Sequence, residues 1–173
     1  MPSQTISILL GGGDRRSIGR SNEVVKLVLR TPRRFAELIQ CLWSEDPIVR
    51  MRAADAAEKA SGPKPELLRH HKAELLGLLA EAEQIELRWH LAQMIPRLQL
   101  TQAERERALG ALQLYLEDQS SIVRTFALQA LADLSRSDAG LRSRVRGILE
   151  ESMATGSAAM KARARKLLKG MKI

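Results

Sequence analysis

The residues best suited to holding a ligand are Trp89, His90 and Gln93, with Phe126 and Gln129 further along. An exposed aromatic ring can anchor a peptide or stack on a base. Arg52 joins them at an equivalent position upstream. Trp89 has a second reading, in which its ring closes the core from the side, because Trp is usually mostly buried.

Other chemistry has little to stand on. His70 and His71 are adjacent, so on a helix they diverge by about 100° and cannot chelate one metal together. His90 has no partner four residues on, and no cysteine cluster offers ligands. The single cysteine, Cys41, falls on an apolar helical position and reads as a reduced, buried, inert thiol. No Ser-His-Asp order suggests a nucleophile system. The expectation is a protein without cofactor, metal or catalysis.

A second kind of chemistry is anion binding. Gly11, Gly12 and Gly13 precede Arg15, Arg16 and Arg20, and Ser21 can then cap a helix. A Gly-rich loop leading into a helix N-terminus points N–H groups at an anion, and arginine adds charge and bidentate geometry. The loop lacks a Gly-Lys-Ser/Thr ending and a βαβ context, so it is neither a P-loop nor a dinucleotide fingerprint. Alternatively it is an arm that docks Ile6, Ile8 and Leu9 on the first helices. Arg163, Lys166 and Lys169 form a second basic group near the other end.

The formal net charge of +8 is concentrated at those two ends. The first 34 residues set Arg15, Arg16, Arg20, Lys26, Arg30, Arg33 and Arg34 against Asp14 and Glu23. Residues 161–173 carry basic side chains and no acid, while the stretch between has a small acidic excess. Basic ends can meet nucleic acid, acidic protein or anionic lipid, or can serve solubility and the helix dipole. Ile6–Leu10 is too short for a signal sequence and no transmembrane run exists. The expectation is a soluble cytoplasmic protein with no membrane association.

Hydrophobic residues make up 45% of the chain but aromatics only 3%. The apolar content is therefore Leu and Ala, which favour helices. A helix is expected from Ser21 to about Arg30, ended by Pro32. From residue 33 the helices pair, in units of about 33–61, 65–98, 102–135 and 138–170, within a single domain over 21–173. Residues 1–20 are expected to be an irregular Gly/Arg-rich arm. Anchors stand at Arg50, Arg88, Arg124 and Lys161, a period of roughly 37 residues. One residue before each anchor come Val49, Leu87, Val123 and Met160; three after come Ala53, Leu91, Ala127 and Ala164. A fixed period of this size means stacked helix pairs that bury their apolar faces against neighbours.

The run Asp46-Pro47-Ile48-Val49-Arg50-x-x-Ala53-Ala54-x-Ala56-Ala57, echoed by Ser121-Ile122-Val123-Arg124-x-x-Ala127, resembles the second helix of HEAT repeats. The likeness includes the bacterial HEAT-like group and covers about residues 33–170. The second unit departs from it, with no proline near Glu83 and Pro96 inside its second helix, and the fourth has Lys161 for the arginine. The resemblance implies an all-α, armadillo-like short α-solenoid: about four helix pairs plus an N-terminal helix, in a right-handed superhelical stack. It implies a ladder of Asp and Arg between repeats. It also places Arg52, Trp89, His90, Gln93, Phe126 and Gln129 on a concave face, as in a noncatalytic scaffold for a protein or peptide. The alternative is a nucleic-acid binder that uses Arg15, Arg16, Arg20, Arg163, Lys166 and Lys169 at its two ends. A remote third is the HEAT-like alkylpurine DNA glycosylases, which set Trp, Asp and Arg on the concave surface; Trp89, Asp55 and Arg52 are the candidates here.

Overall fold

Six helices among the described residues start at a short polar side chain that accepts a backbone N–H. The structure, a computed structural model, describes residues 4–171. Its helices are α1 (Ile6–Leu10), α2 (Ser21–Arg30), α3 (Phe35–Gln40), α4 (Pro47–Ser61), α5 (Lys72–Glu81), α6 (Ile85–Met94), α7 (Gln102–Tyr115), α8 (Ser121–Ser135), α9 (Ala139–Thr155) and α10 (Ala158–Gly170). No strand occurs among the described residues. The Asp46 carboxylate accepts from the Ile48 N–H at 2.8 Å, and Pro47 follows at the first helical position, where its missing N–H costs nothing. Thr101 and Glu104 form a reciprocal capping box on α7; Ser120, Asp138 and Ser157 cap α8, α9 and α10. Pro96 shortens the second unit. Because it lacks an N–H, α6 stops at Met94 and a 3-10 turn, Ile95–Arg97, takes over.

The odd-numbered and even-numbered helices, here called A and B, pair in sequence: each A helix packs on the B helix that follows it. The B helices α2, α4, α6, α8 and α10 lie against one another in chain order, while α1 contacts α3 and α5 contacts α7. Alanine allows close approach along α4, where Ala53, Ala54, Ala56, Ala57 and Ala60 are fully buried between α2 and α6. Both apolar anchor rows, Val49-Leu87-Val123-Met160 and Ala53-Leu91-Ala127-Ala164, are buried in all four units. A fully buried Leu or Val is worth about 1.5–3 kcal/mol, so these rows hold neighbouring pairs together.

The N-terminus differs from the expected irregular arm. Thr5 caps α1, and the spacing of Ile6, Leu9 and Leu10 puts all three on one buried side while Ile8 stays exposed. Ser21, expected as the cap of α2, is instead its first residue and is buried. The first B helix therefore has an A partner, and only residues 11–20 form a loop.

Candidate binding face and the arginines that frame it

Each anchor arginine folds back on the connection before its own helix. Arg50 Nη1 donates to the Ser44 and Glu45 carbonyls at 2.6 and 3.1 Å; Arg124 Nη1 donates to Asp118 and Gln119 at 2.5 and 3.1 Å. Arg88 Nε reaches the Ala82 carbonyl at 2.6 Å. Two of them also span to the next A-to-B connection. Arg50 Nε donates to Gln84 Oε1 at 2.8 Å, and Arg88 Nη1 to Asp118 Oδ2 at 2.5 Å. These guanidiniums satisfy carbonyls that helix ends leave without partners.

Arg52, expected on a partner-binding face, is only 2% exposed. The loop 11–20 wraps around its guanidinium. Nη1 donates to the Leu10 and Gly12 carbonyls at 2.8 and 2.6 Å, Nη2 to Asp14 at 3.1 Å, and Nε to Ser17 at 3.0 Å. Gly12, Gly13 and Gly19 have positive φ, and a Cβ at Gly19 would stand 2.6 Å from Arg52 Cζ. Glycine is thus required where the chain passes over the cation. This corrects the anion-site reading. The loop converges carbonyl oxygens, not N–H groups, and they already hold a cation. Arg15 is paired with Glu86 at 3.1 Å and Arg20 with Glu23 at 2.8 Å; Arg16 is exposed and makes no ion pair with a described residue.

His90 is likewise buried, at 3% exposure. Its Nδ1–H donates to the Glu86 carbonyl at 2.6 Å, which leaves Nε2 facing Asp55 Oδ1 at 3.6 Å. Asp55 also accepts from Ser21 Oγ at 2.5 Å and Lys59 Nζ at 2.8 Å. Burial pushes the Asp55 carboxyl up, but the hydrogen bonds from His90, Lys59 and Ser21 outweigh it and hold it down at about 2. Ser21, Asp55 and His90 tie α2, α4 and α6 together and are closed to substrate. With Arg52 caged and Asp55 buried, the glycosylase-like trio does not face one open surface.

What is open lies toward the C-terminal units. Trp89 stacks on His90 at 3.6 Å between ring centroids and on Phe126 at 5.5 Å; the Arg163 guanidinium lies 5.7 Å from the centre of the Phe126 ring. Arg163 Nη1 donates to Gln129 Oε1 at 2.9 Å, and Gln129 Nε2 donates to both Asp133 oxygens at 3.1 Å. Gln93 Nε2 donates to the Trp89 carbonyl at 3.3 Å. Beside this stack is a cleft of about 530 Å³ lined by Gln93, Phe126, Gln129, Asp133, Arg136 and Arg163. Trp89 is half-buried, packed against the core and stacked on Phe126. Asp133 and Arg136 were not expected in the site, although their spacing from Gln129 places them on its side of α8.

Equivalent positions open progressively along the chain. In the row of Arg52, His90, Phe126 and Arg163, the first two are buried and the last two half-buried. In the row of Asp55, Gln93, Gln129 and Lys166, the first is buried, the middle two half-buried and the last exposed. The cover at the start is α2 and the 11–20 loop. Lys169 is exposed on the last turns of α10. Cys41 is buried, and burial with Glu37 nearby pushes its thiol up to about 11. Among the described residues, no group of three or more His, Cys, Asp and Glu is placed to hold a metal, and no helix is long and apolar enough to cross a membrane. No protein-family model matches the chain, and no curated protein is significantly similar to it.

Proposed function

We propose that this chain is a short, right-handed HEAT-like α-solenoid that binds a protein or peptide without catalysing a reaction. Support for the stack comes from the roughly 37-residue anchor period and from the arginine ties between successive connections. The ligand lies in the cleft at Phe126. The observation that carries this reading is the opening of the B-helix face at α8 and α10, where an aromatic stack meets two amides and charges of both signs. Amides complement peptide N–H and C=O groups, and a ring held between Trp89 and Arg163 offers a preorganised apolar anchor.

A random peptide library panned on the protein tests the reading. Selected peptides should lose about tenfold in affinity, ~1.4 kcal/mol, on Phe126→Ala or Arg163→Glu. They should bind Arg16→Glu, on the far connection, as well as the parent. Helix content and melting temperature confirm that each variant is folded. Peptides that bind Phe126→Ala and Arg163→Glu undiminished would place the ligand elsewhere.

A further inference from the structure

We propose that the edge of the molecule formed by the B-to-A connections docks the phosphate backbone of a nucleic acid. The connections that follow α2, α4, α6 and α8 are linked side by side. Lys64 Nζ donates to the Leu29 carbonyl at 3.2 Å; Arg97 Nη1 donates to Ser61 Oγ at 2.8 Å; Lys72 Nζ donates to the Gln99 carbonyl at 3.4 Å; Gln102 Nε2 donates to Asp138 at 3.4 Å. They form one continuous rim. With helix axes 8–10 Å apart, five pairs extend it over about 40 Å, roughly twelve base pairs of duplex.

Six cations stand along this rim: Arg30, Arg33, Arg69, Arg142, Lys166 and Lys169. All six are exposed, and none makes an ion pair with a described residue. Arg142 and Lys166 come together with Arg136 around a cleft of about 570 Å³ whose lining holds no acid. Arg136 is itself paired with Asp133, so the two unpaired cations dominate there. Unpaired cations at the α2–α3, α4–α5 and α8–α9 connections and on the last turns of α10 suit a ligand with charge repeated along its length. Four of the six are arginines, whose fork fits phosphate oxygens in pairs.

The rim is also short of apolar anchors. The exposed large hydrophobic side chains Ile18, Trp43, Ile85 and Ile122 belong to the opposite, A-to-B edge, and Ile8 and Leu114 stand on the C-terminal halves of A helices, toward that same edge. A membrane-surface helix needs an apolar face beside its charges, and a protein interface needs an apolar or aromatic core. A phosphate backbone needs neither. This surface adjoins the cleft at Phe126, sharing Gln129 and Arg136 with it, but its six unpaired cations lie outside that cleft's lining.

Fluorescence anisotropy with a labelled duplex of about 20 base pairs, across a salt series, tests the proposal. Each neutralised phosphate contributes about 0.9 to the log–log salt slope, so six cations give a slope near −5. Arg33→Glu/Arg69→Glu/Lys166→Glu should weaken binding by about a hundredfold and remove roughly half of that slope. Should the triple variant fail to fold, Arg69→Ala and Lys166→Ala singly should each lower the slope by about one. Arg16→Glu changes the net charge by as much as Arg69→Glu alone but lies on the other edge, and it should leave affinity within about twofold. Three results would overturn the proposal: no binding at low salt, equal losses from Arg16→Glu and Arg69→Glu, or binding to phosphatidylserine vesicles or an acidic polypeptide but not to the duplex.

Discussion

The two edges of the molecule use the same residue type in opposite ways. On the A-to-B edge, Arg50, Arg52, Arg88 and Arg124 turn inward onto backbone carbonyls, and the α3–α4, α5–α6 and α7–α8 connections show Glu45, Asp46, Glu83, Glu117 and Asp118 with no base. On the B-to-A edge Arg97 does the same with the Glu58 carbonyl, but Arg30, Arg33, Arg69 and Arg142 are exposed and make no ion pair with a described residue. Both edges carry one helix start and one helix end per pair, so the macrodipoles do not distinguish them. The difference lies in what the arginine finds within reach. Where a leftover carbonyl accepts the guanidinium, the arginine becomes part of the fold; where none does, it is left to solvent or to a partner.

The contrast can be attacked at its strongest point first. Arg52→Ala removes the cation on which the 11–20 loop closes and leaves several part-buried carbonyls without donors. We expect a loss of about 3–5 kcal/mol in urea unfolding, with protease cleavage appearing in the loop. Arg52→Lys should not restore it, because an ammonium cannot reach carbonyls on two sides of a planar fork. Next is Asp55, midway between the edges on α4. Its folded pKa of about 2 lies below the ordinary 3.8, so its contribution is complete above pH 4 and is lost as pH falls through about 2. That contribution is about 2 kcal/mol, and an Asp55→Asn variant should lack this part of the acid dependence. Arg88→Ala should cost about 1–2 kcal/mol through the Ala82 carbonyl and Asp118. The smallest effect belongs to Arg69→Ala, which should change stability by no more than about 0.5 kcal/mol. Equal destabilisation by Arg88→Ala and Arg69→Ala, in parallel denaturant titrations, would erase the distinction between the edges.

The period of the chain was legible because packing repeats. Val49, Leu87, Val123 and Met160 occupy the same buried position in every unit. The caps at Asp46, Ser120 and Ser157 and the proline stops set the helix limits closely. Exposure was not legible in the same way. A repeat register treats Arg52 and Phe126 as equivalents, but what lies over each depends on its place in the stack. The first unit is covered by α2 and by ten residues that lie outside the register, so Arg52, Asp55 and His90 left the candidate face. The glycine loop misled for a related reason. Gly11, Gly12 and Gly13 announce unusual backbone, but sequence does not say whether N–H or C=O groups converge. Only the position of Arg52, some forty residues on, decides it.

That separation has a consequence for synthesis. The loop is made early, yet the guanidinium that gathers the Leu10, Gly12, Asp14 and Ser17 carbonyls belongs to α4. At about 5–20 residues per second, the ribosome needs several seconds to reach it. Until then the glycines have nothing to wrap, and the first helix pair has no lock. The 11–20 loop is therefore translated before its cation and must wait for downstream chain before it can close.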